Sequence, residues 1–335
     1  MCVVRSRFAL LASCLVIGAC AAAPQAPAPP DRSVNPGYHV VGNQVLDKNG
    51  NVHLFHGVAR PSMEWSKSGE NISSRDFQLI AGWKANVVRI ALNQDFWFKG
   101  AAGGGYQEKV LQAVEWAKSA GLDVILDLHW SDKGDLHNPS PGQQQMADAN
   151  SITFWQGVAN AYKDDGRVLF ELYNEPETIS WDVWQNGGDV SSGFTAVGMQ
   201  QLHDAVRSTG ATNIVILGGI DWAYDLSGVP THLIQGENIM YATHPYDFSS
   251  KQPSDWDRAW GFLTATAPVI VTEFGSADCS TSYPSQLVQY ADAHGASWTG
   301  WAWYVGGCTF PSLIVDWNGT PSAPGQVVKD ALATY

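Results

Sequence analysis

The sequence is poor in positive charge. Its 335 residues include 19 Lys and Arg against 32 Asp and Glu, which gives a formal net charge of −13. Because phosphate backbones and anionic lipid surfaces repel such a chain, we do not expect nucleic acid as a partner. The imbalance is otherwise typical of a solvated acidic surface and points to no particular function.

The apolar run near the start is too short to span a membrane. FALLASCLVIGA (8–19) follows Arg5 and Arg7, whereas a transmembrane helix needs roughly 20 apolar residues. A basic start and a short apolar run are typical of a secretory signal peptide. The run ends in Ile17-Gly18-Ala19-Cys20, which resembles a bacterial lipobox, where the peptide is cut before a cysteine that takes a lipid anchor.

Residues 1–20 are therefore predicted to be a lipoprotein-type signal peptide, with Cys20 as the lipid anchor and membrane tether. The alternative is ordinary cleavage at the small residues Ala19-Cys20-Ala21. Residues 21–36, which begin AAAPQAPAPP, read as a Pro/Ala-rich linker. Either cut places the mature protein outside the cytoplasm, in the medium or at the cell surface.

Cysteine is also scarce. Three of the five cysteines lie in the leader, which leaves Cys279 and Cys308. An even pair in an oxidising compartment predicts a disulfide. A zinc site would need two more soft ligands nearby, and none is within sequence range. We therefore expect no metal.

Residues 37–335 are predicted to form one domain with eight strands. The domain is predicted to begin with a β-hairpin, because two groups of turn-forming residues come first: Gly42-Asn43 and then Asp47-Lys48-Asn49-Gly50. Eight short apolar runs follow, at 52–57, 86–92, 122–129, 167–174, 213–219, 239–244, 268–274 and 297–304.

Most of these runs are apolar almost throughout, which is typical of parallel strands buried on both faces. Helical periods at 106–121 and 194–210 lie between strands. Eight strand–helix units predict an α/β fold, the (β/α)8 TIM barrel, with an N-terminal hairpin. A doubly wound sheet would carry G-x-G-x-x-G after its first strand, and HGVARPS lacks it.

Polar and aromatic residues collect where the predicted strands end, which is where barrel enzymes build their active sites. They are Arg89, His129, Trp130, Asn174, Glu175, His244, Tyr246, Glu273, Trp301 and Trp303. Glu175 and Glu273 follow the fourth and seventh strands, so we expect them to face each other across the barrel mouth. Paired carboxyl groups are the minimal machinery for glycoside hydrolysis.

The motifs LYNEPE, ATHPY and VTEFG, with the Trp-rich last strand, resemble glycoside hydrolase family 5, which includes cellulases and mannanases. The resemblance covers residues 37–335. It implies Glu175 as acid/base and Glu273 as nucleophile. Supporting roles are implied for the residues that match the family's remaining positions: Arg89, His129, Asn174, His244 and Tyr246.

Aromatic residues are expected to bind the sugar, because a flat ring stacks on a pyranose face. The chain has 15 Trp. Glu64 and Trp65 are predicted at the non-reducing side of the cleft, and Trp130, at the end of the third strand, is a further candidate for binding substrate. The family pattern Ser-Trp-x-x-Trp matches SWTGW (297–301) and points to Trp301, with Trp303 left open.

The resulting prediction is a secreted, retaining endo-β-1,4-glucanase that acts on a β-1,4-glucan as a monomer. No cofactor is implied, since carboxyl groups supply both the proton transfers and the covalent step. One alternative is a mannanase or another β-glycanase of the same family. Another is a non-catalytic, carbohydrate-binding barrel. For the histidines, a metal site is disfavoured because His53 and His56, three apart on a strand, would face opposite sides.

Overall fold

A computed structural model describes residues 37–98, 105–131 and 142–335. The predicted signal peptide with Cys20 and the predicted linker lie outside the described residues, so both stay predictions. The described residues all fall within one compact unit, Ser33–Tyr335. Over the same described ranges, the helices are too short or too polar to cross a membrane.

The described chain begins with the predicted hairpin. Strands β1 (His39–Val41) and β2 (Gln44–Leu46) pair antiparallel, and Gly42 takes the positive φ of +61° that the turn between them requires. Val45 is buried among side chains of the barrel interior, and Tyr38 and Val40 pack against the same cluster. The hairpin therefore closes one end of the barrel.

Eight parallel strands form a closed barrel, as predicted. They are β3 (His56–Arg60), β4 (Val87–Asn93), β5 (Asp123–Trp130), β6 (Val168–Glu171), β9 (Val215–Gly218), β10 (Ile239–Thr243), β11 (Val269–Val271) and β12 (Ser297–Gly300). Each strand pairs with the next in this order, and β12 pairs with β3 to close the ring. Strands β7 (Gly188–Asp189) and β8 (Thr195–Ala196) form a separate antiparallel ribbon.

Helices lie between most of the consecutive barrel strands. They are α1 (Ser74–Gly82), α2 (Gln94–Phe98), α3 (Tyr106–Ser119), α4 (Ala149–Tyr162), α5 (Trp181–Asn186), α6 (Met199–Arg207), α7 (Pro253–Ala259), α8 (Ser282–Ala293) and α9 (Ala323–Leu332). Several begin at a capping side chain: Asp148, for example, accepts the backbone N–H groups of Asn150 and Ser151 at the start of α4. Short 3₁₀ turns occur at Val229–Thr231 and Gly261–Ala265.

Several predicted boundaries differ from the structure, and two of the differences have a clear cause. The first barrel strand was expected at 52–57 and lies at His56–Arg60, because Val52 instead bridges Leu46 and extends the hairpin. The helix expected at 194–210 is shortened to α6 because residues 195–196 pair with β7.

Alternation along the strands builds two layers inside the barrel. The lower layer is apolar and includes Val87, Ile125, Leu169, Ile216, Met240 and Ile270. Two residues further along β4, β5 and β6, on the same face, come Arg89, Asp127 and Glu171, all fully buried. The charged layer therefore lies directly above a buried apolar layer, which separates it from the solvent at the lower end of the barrel.

A disulfide joins Cys279 and Cys308, as predicted, with Cα atoms 4.8 Å apart. It connects the segments that follow β11 and β12. Both segments border the mouth of the barrel, because Ala277 and Thr309 line the cleft there.

Removing this bridge is expected to destabilise the fold. The closed loop spans 29 positions, so the double variant Cys279→Ser/Cys308→Ser should lose about 3–4 kcal/mol of unfolding free energy on the chain-entropy model. Urea unfolding of the wild type and the variant measures the loss. Dithiothreitol should destabilise the wild type by a similar amount and leave the variant unchanged; equal stability of both proteins without reductant would contradict the prediction.

Candidate active site

A cleft of about 590 Å³ opens at the carboxyl ends of the strands. It is lined by residues from the segments that follow most of the strands: His129, Glu175, Asp221, Trp222, His244, Tyr246, Phe248, Ser250, Lys251, Glu273, Ala277, Trp301, Thr309, Phe310 and Pro311. The predicted pair, Glu175 and Glu273, therefore lies in one cleft. Asn174 and Arg89 lie just beneath it.

The buried guanidinium of Arg89 organises the floor of this cleft. Its Nε donates to Glu171 at 2.5 Å, and its Nη1 donates to Oε1 of Glu273 at 2.7 Å. Its Nη2 donates to Oδ1 of Asn174 at 2.7 Å and lies 3.1 Å from Asp127. The planar guanidinium of arginine suits such multiple pairing. One side chain therefore positions three carboxylates and the amide of Asn174.

Glu273 is held ionised. Burial alone would raise the pKa of its carboxyl group, but His244, Arg89 and His129, together with a hydrogen bond from Tyr246, lower it below the ordinary value of 4.5. The Tyr246 hydroxyl donates to Oε2 at 2.6 Å. An ionised carboxylate whose position is fixed on both oxygens is suited to act as a nucleophile.

Glu175 is half-buried, and its Oε1 lies 3.0 Å from Nδ1 of His244. One ligand atom from each of Glu175, His244 and Glu273 lies within 4.8 Å of the other two. The two carboxyl groups therefore converge on a space that one sugar bond can occupy. His244 stands between them, because the same Nδ1 is 3.8 Å from Oε2 of Glu273.

His129 is held in the charged form. Burial would lower the pKa of its imidazole, but Asp127, bonded to Nδ1 at 2.7 Å, and the nearby charges of Glu64 and Glu273 raise it to about 9. The ring lies parallel to Trp301, with centroids 5.5 Å apart. His129 thus adds positive charge beside Glu273 and supports the tryptophan that lines the cleft.

Of the two tryptophans on the last strand, Trp301 faces the cleft. Trp303, which the sequence left open as the alternative ring, does not line the cleft. Trp303 is 1 % exposed, its Nε1 donates to Asp76 of α1, and its ring packs edge-on against Trp83. Regular pairing of β12 ends at Gly300, so the two-residue alternation that would place both rings on one face no longer applies.

Glu64 is misplaced in the prediction as well. It is 1 % exposed, and one of its oxygens accepts the backbone N–H of Ser62 at 2.7 Å. Burial raises the pKa of this carboxyl group to about 7. Glu64 therefore lies beneath the surface, where it cannot contact a sugar directly.

Its neighbour Trp65 does lie at the mouth. The ring is half-buried. Its centroid lies 6.0 Å from that of Phe310, which lines the cleft, and 6.4 Å from that of Trp130. Glu70 fixes it: one carboxylate oxygen accepts Trp65 Nε1 at 2.8 Å, and the other accepts the hydroxyl of Tyr304. Trp65 and Trp130 thus lie beside the cleft lining, and their role in binding sugar stays a prediction.

Sequence reasoning missed Asp127, Glu171 and Thr272 below the cleft, and Lys251 and Trp222 in its wall. The first two had a signal: each is an acid inside an apolar strand, in LDVILDLH and VLFELY. Asp127 lies two residues before His129, and Glu171 four before Glu175, so the alternation of strands could have placed them under the site. Trp222 and Lys251 lie in loops, where no such period exists.

The trio of Glu175, His244 and Glu273 is also the one set of three candidate ligands close enough to hold a cation within the described ranges. Both oxygens of Glu273 already accept hydrogen bonds from Arg89 and Tyr246. The guanidinium would repel a metal ion at the same carboxylate. The side chains therefore fit proton transfer and nucleophilic attack by a carboxylate better than metal binding.

Comparison with known proteins matches residues 46–307 to the family model described as Cellulase (glycosyl hydrolase family 5). Curated relatives include "Endoglucanase" of Clostridium saccharobutylicum, 27% identical over 277 residues, covering 78% of this chain and 56% of the relative. "Endoglucanase MaCel5A" of Microbulbifer sp. (strain ALW1) is 26% identical, covering 88% and 57%. The chain thus spans little more than half the length of these relatives.

Among solved structures, the native beta-glucanase SdGluc5_26A of Saccharophagus degradans is 27% identical, with a TM-score of 0.73. The match covers 92% of this chain and 98% of that one. The same beta-glucanase has been solved in complex with cellotetraose, at 26% identity and the same TM-score.

The hydrogen bond from Tyr246 is expected to keep the pKa of Glu273 low. A bond to the ionised form favours that form, so Tyr246→Phe should raise the pKa of Glu273 by about one unit or more. Carboxyl ¹³C NMR during a pH titration measures it. Since the folded-state pKa lies below 4.5, ionised Glu273 stabilises the fold above that pH, and its contribution is lost as the pH falls through the folded-state value.

Tyr241→Phe is the matched control. Tyr241 is a buried tyrosine in the middle of β10, and its hydroxyl bonds the backbone of Ile234. The pKa of Glu273 should not change in this variant. An unchanged pKa in Tyr246→Phe would show that the hydroxyl does not tune Glu273.

Proposed function

Because this chain belongs to glycosyl hydrolase family 5, we propose that it is a retaining endo-β-1,4-glucanase that cleaves internal bonds of a cellulose-like glucan. One observation carries the proposal: Glu175 and Glu273 converge within 4.8 Å in a single cleft. Their surroundings differ, since Glu273 is paired with a guanidinium and Glu175 with an imidazole. Two carboxyl groups in unlike environments are what glycoside hydrolysis requires.

The short separation supports retention. Retaining enzymes place their carboxyl groups about 5–5.5 Å apart, whereas inverting enzymes need about 6.5–9.5 Å to admit a water. In the proposed first step, Glu273 attacks the anomeric carbon while Glu175 protonates the departing oxygen. In the second step, Glu175 takes a proton from water, whose oxygen attacks the anomeric carbon; the bond from that carbon to Glu273 breaks, and Glu273 leaves as a carboxylate.

A glucan is the substrate best supported. The curated relatives described above carry the name endoglucanase, and the similar beta-glucanase was solved with cellotetraose. The cleft lining includes four aromatic rings besides Tyr246 and the histidines: Trp222, Phe248, Trp301 and Phe310. Such walls suit a chain of several pyranose rings.

Export is part of the proposal. The disulfide between Cys279 and Cys308 fits an oxidising compartment outside the cytoplasm. The leader sequence adds the proposal of a lipid tether at Cys20, and we further propose that the protein acts as a monomer. Release of reducing sugar from carboxymethylcellulose compared with mannan would separate the glucanase from its nearest alternative.

Replacing either carboxyl group should abolish catalysis without abolishing binding. Glu175→Gln and Glu273→Gln keep the side-chain shape but remove the acid and the nucleophile, so kcat should fall by roughly three or more powers of ten. Hydrolysis of a soluble β-1,4-glucan measures kcat, and calorimetry with cellotetraose measures affinity. Retention is checked by ¹H NMR, in which the β-anomer of the new reducing end should appear first.

Glu177→Gln is the matched control, since this half-buried glutamate bonds only Thr178 among the contacts described. It should keep the wild-type rate. Wild-type turnover in both catalytic-site variants would refute the assignment, and binding without turnover in the wild type would favour the carbohydrate-binding barrel.

Trp222 is expected to bind a sugar on the Glu175 side of the cleft. It is 47 % exposed, lines the cleft, and its backbone N–H bonds the carbonyl of Pro176, next to Glu175. Trp222→Ala should raise KM for long cello-oligosaccharides by roughly three- to tenfold and leave the shortest ones unaffected.

Phe262→Ala serves as the control, because Phe262 is an exposed aromatic residue outside the cleft lining. Its kinetic constants should match the wild type at every chain length. If Trp222→Ala changed KM equally for long and short substrates, Trp222 would act on the catalytic centre rather than on a distant sugar.

A further inference from the structure

A line of hydrogen bonds runs from the charged layer of the barrel up to Glu175. The Thr272 hydroxyl donates to Oε1 of Glu171 at 2.7 Å. The same hydroxyl oxygen lies 2.8 Å from Nε2 of His244, and Nδ1 of His244 lies 3.0 Å from Oε1 of Glu175. Glu171, Thr272 and His244 are all buried, so water does not compete for these bonds.

The donor count along this line fixes where the protons are. Glu171 is an acceptor because it is ionised: burial opposes this, but Arg89 and His244 bring the pKa of its carboxyl group down to about 2. The single hydroxyl proton of Thr272 is therefore used on Glu171. Its oxygen can then only accept from His244, so Nε2 must carry a proton. One proton remains for the contact between Nδ1 and Glu175.

We propose that Glu171 and Thr272 are positioning residues that hold His244 with Nε2 protonated, so that Nδ1 and Glu175 share a single proton, the one that is delivered to the leaving oxygen. This inference rests on the proposed function. When Glu175 gives that proton to the glycosidic oxygen, the pair is left as a carboxylate facing the lone pair of a neutral imidazole. Their repulsion makes Glu175 a better base when it takes a proton back from water.

The charges around His244 agree with a tightly held proton. Three carboxylates face its ring: Glu171 at 3.8 Å, Glu175 at 3.0 Å and Glu273 at 3.8 Å. Burial lowers the pKa of the imidazole, but these groups together raise it to about 9. Two cations lie further out: Arg89 pairs with Glu171 and Glu273, and the charge of Lys251 acts on Glu175.

Thr272→Val is the direct test. Replacing Glu171 would also remove a partner of Arg89, whereas Thr272 has no hydrogen bond to Arg89 among those of the described residues. Without the hydroxyl, the Nε2 proton has no acceptor, and neutral His244 can instead place its proton on Nδ1. Both effects favour the pair after it has lost a proton, so they lower the pKa at which His244 and Glu175 give up their shared proton. In the profile of kcat/KM against pH, the basic limb should therefore shift to lower pH by about one pH unit or more, while the acid limb stays at the same pH.

Two further variants separate this role from a structural one. Thr272→Ser keeps a hydroxyl and should restore the wild-type basic limb. Thr243→Val removes the hydroxyl of the buried threonine next to His244, which bonds the backbone of Tyr224 instead; its profile should match the wild type. A basic limb in Thr272→Val that coincides with that of Thr243→Val, or a uniform loss of rate at all pH values, would overturn the proposal.

A second measurement does not depend on activity. In protein labelled with ¹⁵N-histidine, His244 of the wild type should show a protonated Nε2 throughout the titration, with its signal assigned by its loss in His244→Asn. An unprotonated Nε2 in the wild type overturns the proposal even if the enzyme is active. A protonated Nε2 in a protein inactive on every β-glucan supports the hydrogen-bond line and refutes only the proposed function.

Discussion

The structure of the site depends on one buried cation. Removing a guanidinium from water costs several kcal/mol, and Arg89 offsets this only because Glu171, Glu273 and Asp127 surround it. These partners come from three strands that are not all neighbours, so the ion network ties together β5, β6 and the end of β11. The pairing that makes the burial of Arg89 tolerable also acts, with His244 and His129, to keep Glu273 ionised, so the stability of this layer and the charge state of Glu273 have a shared cause.

This network could not stand on an open or wet floor. The layer beneath it is apolar and closed by the N-terminal hairpin, so each polar group of the charged layer has to find its partner sideways or upward. Sideways pairing produces the Arg89 hub, and upward pairing produces the line from Glu171 through Thr272 to His244. Oδ1 of Asp127 is left without a partner in this arrangement, which shows how few donors remain after the hub is satisfied.

The sequence predicted what is periodic or strongly patterned and missed what is not. Eight apolar runs gave the barrel, and the polar residues at their ends gave Glu175, Glu273, Arg89 and His244 in one place. Trp303 was misjudged because the alternation was extended past Gly300, where regular pairing stops. Glu64 was misjudged because adjacency to Trp65 says nothing about depth, and only the loop conformation puts one residue under the surface and the next at the mouth.

The two ends of the cleft hold their tryptophans in different ways, by side-chain contacts at Trp65 and by an unusual backbone conformation at Trp222. Trp65 is fixed by Glu70, which also holds Tyr304, and it packs against Phe310. Trp222 instead lies in a run of three residues, Asp221 to Ala223, with φ near +55° to +59°, a conformation that costs non-glycine residues energy. A fixed ring loses little entropy on binding, so in the proposed reaction the Trp65 end is suited to supply energy for distorting the sugar between Glu175 and Glu273. The Trp222 end is joined by one hydrogen bond, from the backbone N–H of Trp222 to the carbonyl of Pro176, to the segment that carries the proposed acid/base.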